Sequence, residues 1–220
     1  LRVLVTAGGT REPIDPVRFI GNRSSGRMGI ALAAAAAKRG AEVTLIAANV
    51  ALQAPAGVNR IDVETAAQLA AAAATEFPAS HVLLMAAAPA DFRAAAPAAG
   101  KLERKGSLSV DLEPTEDILA SLAATRTDSQ TIIGFAAEHG GDAVERARGK
   151  LTRKGADLIV LNDVSDPAIG FESENNAVTL IDTQTDTAVP LASKDEIADA
   201  ILDKVDQLRH EQSLQERSRP

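Results

Sequence analysis

A chain of 220 residues that is 45% hydrophobic and 24% charged has the apolar content for one well-packed domain. Its net charge of −7 excludes a nucleic-acid partner held over a broad face, since the basic clusters 101–105 (KLERK) and 150–154 (KLTRK) are scaled to a few phosphates. The absence of cysteine excludes a disulfide framework, a thiol nucleophile and a thiolate metal site, and no run reaches the roughly 18 to 20 apolar residues of a membrane span; a reducing cytoplasm is the expected setting.

The chain starts at Leu1, without Met, and enters a strand at once, which leads us to expect a domain cut from a longer polypeptide. Residues 3–5 (VLV) form that strand and run into a turn at 6–10 (TAGGT). Pro13 and Pro16 then delay the next helix. The result is a long loop, of a length that is usually functional when it lacks structure of its own. It ends at 22–29 (NRSSGRMG), where Ser24 or Ser25 is the expected N-cap of an alanine-rich helix reaching about Arg39. Free N–H groups at a helix start, with hydroxyls and with Arg23 and Arg27 beside them, suit a phosphate or a carboxylate.

Beyond Gly40, residues 42–46 (EVTLI) and 59–63 read as strands, and Thr65 opens a helix to about Glu76 that Pro78 ends. Continuous apolar runs at 81–86, 131–135 and 157–161 are the pattern of strands buried on both faces of a parallel sheet. Helices over 116–125 and 142–154 separate them. This alternation predicts an α/β domain with a doubly wound sheet, whose ligands sit at the C-terminal strand ends: 6–10, 86–93, 135–139 and 162–164. Two segments interrupt it. Residues 94–114 are expected to form an arm packed on a partner, with 108–112 (LSVDL) as a half-exposed strand. Residues 176–182 and 188–191 pair around a polar turn, followed by a helix from about Lys194 with Ile197, Ala200, Ile201, Val205 and Leu208 on one side. Residues 210–220 read as a frayed polar tail, leaving 1–209 as the domain.

A strand, glycines and then a helix first bring to mind an NAD(P)-dependent oxidoreductase. The compact G-x-G-x-x-G is absent, however, its glycines being split between Gly8-Gly9 and Gly26-Gly29, and there is no tyrosine to serve as the acid of a short-chain dehydrogenase. A catalytically silent nucleotide-binding dimerisation module is a second alternative. His81, His139 and His210 show no metal-ligand spacing.

Six stretches in register, TAGGTREPIDPVRFIGNRSSGRMG, MAAAPADFR, GKLERKG, GFAAE, ARGKLTRKGADLIVLNDV and GFESENNAV, resemble the phosphopantothenate-cysteine ligase family from Leu1 to about Lys204. The resemblance implies a Rossmann-like, mainly parallel sheet with an extended dimerisation arm and a C-terminal β-hairpin. It implies a reaction of coenzyme A synthesis: 4′-phosphopantothenate, L-cysteine and CTP give phosphopantothenoylcysteine, CMP and pyrophosphate through an acyl-cytidylate, with Mg2+ or Mn2+. It also implies a cytoplasmic homodimer with shared sites, fused to an N-terminal FMN-dependent decarboxylase domain, with no membrane or nucleic-acid partner.

By motif, Asn22 and Lys101 would be catalytic, Asn22 handling the acyl-cytidylate and Lys101 stabilising the first transition state. Gly8, Gly9, Arg18, Asn22, Ser24, Ser25 and Gly26 would hold the acyl substrate. Ala87, Asp91, Lys101, Phe135, Lys150 and Lys154 would bind nucleotide, together with Thr115, Glu116, Asp117 and Ile118 as the turn against the base; Asp91 would also meet the metal. An i, i+4 spacing puts Lys150 and Lys154 on one helix face. Pro89, Glu103 and His139 depart from the family pattern, Pro89 removing an N–H beside the nucleotide.

Overall fold

The computed structural model describes residues 1–104, 106–138, 140–163 and 175–217. Lys105, His139, Val164 and most of the GFESENNAV stretch therefore lie outside the described residues.

The elements run β1 (Arg2–Gly8), β2 (Arg11–Pro13), β3 (Phe19–Gly21), α1 (Arg27–Lys38), β4 (Glu42–Ala48), β5 (Asn59–Val63), α2 (Ala66–Glu76) and a 3-10 turn over Phe77–Ala79. There follow β6 (Val82–Met85), β7 (Phe92–Ala94), β8 (Leu112–Pro114), α3 (Ile118–Ala123), β9 (Thr131–Glu138), α4 (Ala143–Lys154), β10 (Leu158–Asp163), β11 (Asn175–Ile181), β12 (Asp186–Ser193) and α5 (Lys194–Arg217). Eight strands form one sheet in the order β12-β11-β10-β9-β6-β1-β4-β5. From β10 to β5 the pairs are parallel, while β11 and β12 add an antiparallel edge. The six parallel strands thus follow the doubly wound order expected from sequence, with the reversal between β1 and β6.

Side chains of a strand alternate between faces. Val3, Val5, Val43 and Leu45 enter a core against the buried alanines of α1 and against Ile197, Ala198, Ile201, Leu202 and Val205 of α5. Leu4, Ile46 and Leu83 enter the opposite core, against Leu69 and Phe77, Ile118 and Leu122, and Ala147 and Leu151. On α5 it is Ala198 and Leu202, rather than Ala200, that complete the buried stripe.

Four expectations change. The loop after β1 carries its own structure: β2 and β3 pair as Arg11↔Gly21, Glu12↔Ile20 and Pro13↔Phe19. Asp15 closes that hairpin, its Oδ1 accepting from the N–H groups of Val17 and Arg18 at 2.8 and 2.7 Å. Of residues 108–112 only Leu112 enters a strand: β8 pairs as far as Ala94↔Leu112, and just beyond it the Asp111 carbonyl accepts from the Ala95 N–H at 3.0 Å. The helix expected over 116–125 is shorter, Ile118–Ala123, with Asp117 as its cap. Helix α5 continues past His210 to Arg217. It is tied there to the sheet's lower edge by Arg209, which donates to the carbonyls of His81 and Ser129, and by a contact of Gln212 with the Thr131 hydroxyl.

The β11–β12 turn is fastened to α5 by a buried ion pair, Asp182 to Lys204 at 2.7 Å, with side chains 3% and 11% exposed. Burial pushes the Asp182 carboxyl up, but the Lys204 ammonium and the N–H groups of Gln184 and Thr185 outweigh it and hold the value at about 2. A folded value below the ordinary 3.8 stabilises above about pH 4, and the gain is lost as pH falls towards 2. Asp182→Asn is expected to cost about 2 kcal/mol at pH 7, and denaturant melts of variant and wild type should converge towards pH 2.

Candidate functional site

At the reversal of strand order, between β1 and β6, the chain stays paired past the strand ends, Gly9 bridging Ala88, and two buried threonines tie it further. The N–H of Ala87 donates to Thr6 Oγ1 at 3.0 Å, and that of Ala90 to Thr10 Oγ1 at 2.9 Å. A backbone bond from Ala88 to the Gly8 carbonyl at 2.8 Å adds to these. The 86–91 segment is thereby fixed along the floor of a crevice.

On one side of that floor lies a cavity of about 400 Å³ lined by 22–29, 86–89, Asp91, Phe135, Lys150, Asn162, Asn176 and Lys194. The N-terminus of α1 opens into it. Gly26, at φ 76, occupies the cap position with no side-chain cap, so neither Ser24 nor Ser25 is the N-cap. A Cβ at Gly26 would lie 2.7 and 2.9 Å from the two Val50 methyl carbons, and a positive φ is strained for a side-chain-bearing residue. Ser24 and Ser25 line the cavity instead. With no acidic residue in its first turn, α1 presents positive partial charge to this space. Among the described residues, Arg23, Arg27, Lys150 and Lys194 line the cavity against the one carboxylate of Asp91, in a chain whose net charge is −7. That lining suits an anion chemically.

On the other side is a cavity of about 390 Å³, lined by Thr115, Glu116, Asp117, Ile118, Arg153 and Lys154 among others. Its carboxylates and cations are nearly balanced. The two cavities share Ala87, Pro89, Asp91, Phe135 and Lys150 as a common wall. Lys150 and Lys154 do share a face of α4. Each holds an acidic partner: Lys150 contacts Glu138 at 2.7 Å, and Lys154 contacts Asp117. Burial pushes Glu138 up, but Lys150 and Arg146 hold its carboxyl below the ordinary range, so an incoming polyphosphate would compete with an ionised carboxylate for Lys150. Asp117 has a second duty, accepting from the Ala120 N–H at 3.2 Å.

Asn22 faces the first cavity, its Nδ2 donating to the Pro89 carbonyl at 2.9 Å. Pro89 lacks an N–H, yet its carbonyl positions the asparagine. Gly8 and Gly9 line neither cavity: a Cβ at Gly8 would lie 2.0 Å from the Ala48 oxygen, and one at Gly9 2.7 Å from the Asn22 carbonyl oxygen. They let neighbouring backbone close in and so support the floor from below.

Arg18 and Lys101 also line neither cavity of their own chain. Arg18 bridges the buried Asp15 carboxylate, at 2.6 Å, and the Leu102 carbonyl, at 3.2 Å, and Asp15 accepts from the Leu102 N–H at 3.1 Å. Burial pushes the Asp15 carboxyl up, but the N–H groups of Val17, Arg18 and Leu102 hold it below its ordinary value. These contacts clamp the root of the arm, and Lys101 projects beside the clamp as an exposed residue. In the hairpin and arm segments Val17, Phe19, Phe92, Leu108 and Leu112 are each about half exposed, Phe19 with the Arg11 guanidinium over its ring.

Sequence reasoning named the strand end at 162–164 but missed Asn176 and Lys194, which with Asn162 form the far wall of the first cavity. Asn176 is buried and donates to Asn162 Oδ1 at 2.8 Å, bringing β10 and β11 to the crevice. Lys194 is 9% exposed and lies inside a capping box visible in the sequence as Ser193-Lys194-Asp195-Glu196. The Glu196 carboxylate accepts from Ser193 N and Oγ at 2.9 and 2.8 Å, and Ser193 Oγ accepts from the Glu196 N–H at 3.3 Å. Among the described residues no group of three or more His, Asp or Glu is placed to hold a metal ion.

Residues 1–208 match the family described as DNA/pantothenate metabolism flavoprotein C-terminal domain. The chain is 43% identical over 209 residues to the coenzyme A biosynthesis bifunctional protein CoaBC of Escherichia coli, covering 93% of this chain and 51% of that protein. The CoaBC of Vibrio cholerae is 44% identical over 214 residues, covering 96% and 52%. The chain thus spans about half the length of the curated relatives it matches. Among solved structures, the C-terminal domain of a CoaBC superposes with a TM-score of 0.81 at 36% identity, covering 96% of each chain. A Cab2 mutant in complex with phosphopantothenate-cysteine gives 0.81 at 18% identity, a likeness of fold alone.

Proposed function

The chain belongs to the family of DNA/pantothenate metabolism flavoprotein C-terminal domains, and from that premise we propose that it joins 4′-phosphopantothenate to L-cysteine at the expense of CTP. The observation that supports the reading is the common wall of the two cavities at Asp91, Phe135 and Lys150, where an anionic acyl substrate in one would meet a nucleotide in the other. The chemistry needs that meeting. A carboxylate is a poor electrophile, so its oxygen attacks the α-phosphorus and the bond to pyrophosphate breaks; the cysteine amine then attacks the acyl carbon, CMP leaves with the bonding pair, and the amine proton passes to solvent.

In this reading the α1 N-terminus with Ser24, Ser25 and Gly26 binds the phosphate of phosphopantothenate, and Asn22, held by Pro89, presents its amide to the acyl-cytidylate. Gly8 and Gly9 support that loop. Thr115, Glu116, Asp117 and Ile118 border the base, and Lys150 and Lys154 exchange Glu138 and Asp117 for the triphosphate. The donor set fits Mg2+, which commonly takes one or two carboxylates together with substrate phosphates. Asp91, at the junction, would hold it, and the ion when bound would neutralise charge on the phosphates. Lys101 acts on the partner's site in a homodimer, with Arg18 bracing the arm, and the half-exposed apolar side chains of the hairpin and arm segments are the surface that a second copy would cover. The family relationship also supports a cytoplasmic protein fused to an FMN-dependent decarboxylase domain; no helix among the described residues is long and apolar enough to cross a membrane.

Pyrophosphate release is expected with CTP, to depend on phosphopantothenate, and to be weaker with ATP. Release without phosphopantothenate, or none with CTP, would sink the reading. Asn22→Asp is expected to retain pyrophosphate release and to slow amide formation by about 10²-fold or more, the cost of a lost preorganised donor.

A further inference from the structure

Among the described residues Asn49 is the one residue other than glycine with a positive φ, 54, and it stands where β4 leaves the sheet on the crevice side. Asparagine adopts that left-handed geometry more readily than most residues, though only glycine takes it freely. What asparagine has and glycine lacks is the carboxamide, which is used twice. Its Nδ2 donates to the Gly9 carbonyl and to the Glu64 carbonyl, each at 2.9 Å, while the Asn49 N–H donates to the Val63 carbonyl at 3.2 Å. One side chain thus laces the chain just past β1 to the chain just past β5, the strands on either side of β4. Both carbonyls bear on the site. A Cβ at Gly9 would lie 2.7 Å from the Asn22 carbonyl oxygen, so the backbone that Asn49 holds is the backbone against which the Asn22 loop rests. The Glu64 carbonyl also accepts from the Arg11 N–H at 2.9 Å, at the root of the β2–β3 hairpin that leads to Asn22. The same left-handed turn delivers Val50, whose methyl groups close the space beside Gly26 at the start of α1.

Resting on the proposed ligase chemistry, we infer that Asn49 is a positioning residue, which acts through Asn22 on the second half-reaction, the attack of the cysteine amine on the acyl-cytidylate. Asn49 lines neither of the two cavities, so its reach is through backbone. Its Nδ2 fixes Gly9, Gly9 backs Asn22, and Asn22 is held from the other side by the Pro89 carbonyl at 2.9 Å. Release of the Gly9 carbonyl frees the Asn22 loop to shift on its support, and a misplacement of about 1 Å at a group that handles the intermediate is enough to cost about 10²-fold. The second cavity takes only Pro89 from that chain of contacts, so CTP binding is spared.

The test compares Asn49→Gly, which keeps the left-handed backbone accessible and removes the carboxamide, with wild type, Asn22→Asp and the double variant, each as the 220-residue chain. With saturating CTP and phosphopantothenate and no cysteine, Asn49→Gly is expected to release its single round of pyrophosphate within about twofold of the wild-type rate. With cysteine added, amide formation should be about 10- to 100-fold slower. In the double variant Asn49→Gly should remove little beyond the loss in Asn22→Asp alone, because a residue that acts through another then has nothing left to position. Amide formation at the wild-type rate, whether or not Tm falls, overturns the inference, as do equal losses in both half-reactions or losses that multiply in the double variant. Asn49→Asp also tolerates a positive φ but turns an acceptor toward the two carbonyls; it keeps the test open should Asn49→Gly not fold, and the same split between half-reactions is expected of it. A wild-type chain that releases no pyrophosphate from CTP overturns the ligase reading itself, an outcome distinct from an active wild type matched by Asn49→Gly.

Discussion

Lys101→Ala is expected to lower pyrophosphate release from CTP and phosphopantothenate by about 10²- to 10³-fold, the cost of removing a group aimed at charge that develops in the transition state. Co-expression with Asn22→Asp should restore amide formation to about a quarter of wild type, because random pairing makes half the dimers mixed and each mixed dimer has one intact site. The expectation follows from position. Lys101 stands beside the clamp of Asp15, Arg18 and Leu102 and lines neither cavity of its own chain, whereas Asn22 faces the first. In a mixed dimer, the chain carrying Lys101→Ala keeps its own Asn22 and receives its partner's arm. The measurement is amide product from the unfractionated co-expressed chains, and mixed dimers purified through two different tags should reach about half of wild type. If the arm served its own chain, mixing would restore nothing, and full activity of Lys101→Ala alone would remove the residue from catalysis.

Gly29→Ala is expected to destabilise the fold by about 3 kcal/mol, at the upper end for overpacking, and to lower Tm by about 10 °C. A Cβ at position 29 would lie 2.4 Å from Ala7 Cβ and 2.9 Å from both Ala7 Cα and the Thr6 oxygen. Those are atoms of the central strand, so α1 would have to lift from the sheet. Because the α1 N-terminus forms the anion cavity, the folded fraction should also show a raised KM for phosphopantothenate. Thermal melts and steady-state kinetics would show both. An unshifted melt would mean that α1 can ride higher on β1 without loss.

The broken glycine pattern is where the sequence is legible in part. Gly8-Gly9 and Gly26-Gly29, separated by the loop, mark a turn and a helix start, and they flank the crevice as expected. Their division of labour was not legible: Gly26 caps the helix, Gly29 admits it to the strand, and Gly8 and Gly9 admit backbone from elsewhere. Ser24 or Ser25 was the reasonable cap, since hydroxyls usually serve there. Val50, from a different strand's loop, removed the room for any side chain at the cap position.

By itself the sequence determined the alternation of buried strands and helices, the parallel sheet, the position of the helix start after the split glycines and the family, because these depend on periodicity and motifs read along one segment at a time. Tertiary structure alone decided that two cavities share a wall at Asp91, Phe135 and Lys150, that Arg18 and Lys101 belong to the arm's root, and that Lys194 arrives beside Arg27. Those juxtapositions join residues from as many as 167 positions apart, from 27 to 194, and they are set by the crossover order of the sheet and by the β11–β12 return. No local pattern encodes the direction in which a distant strand brings its neighbour.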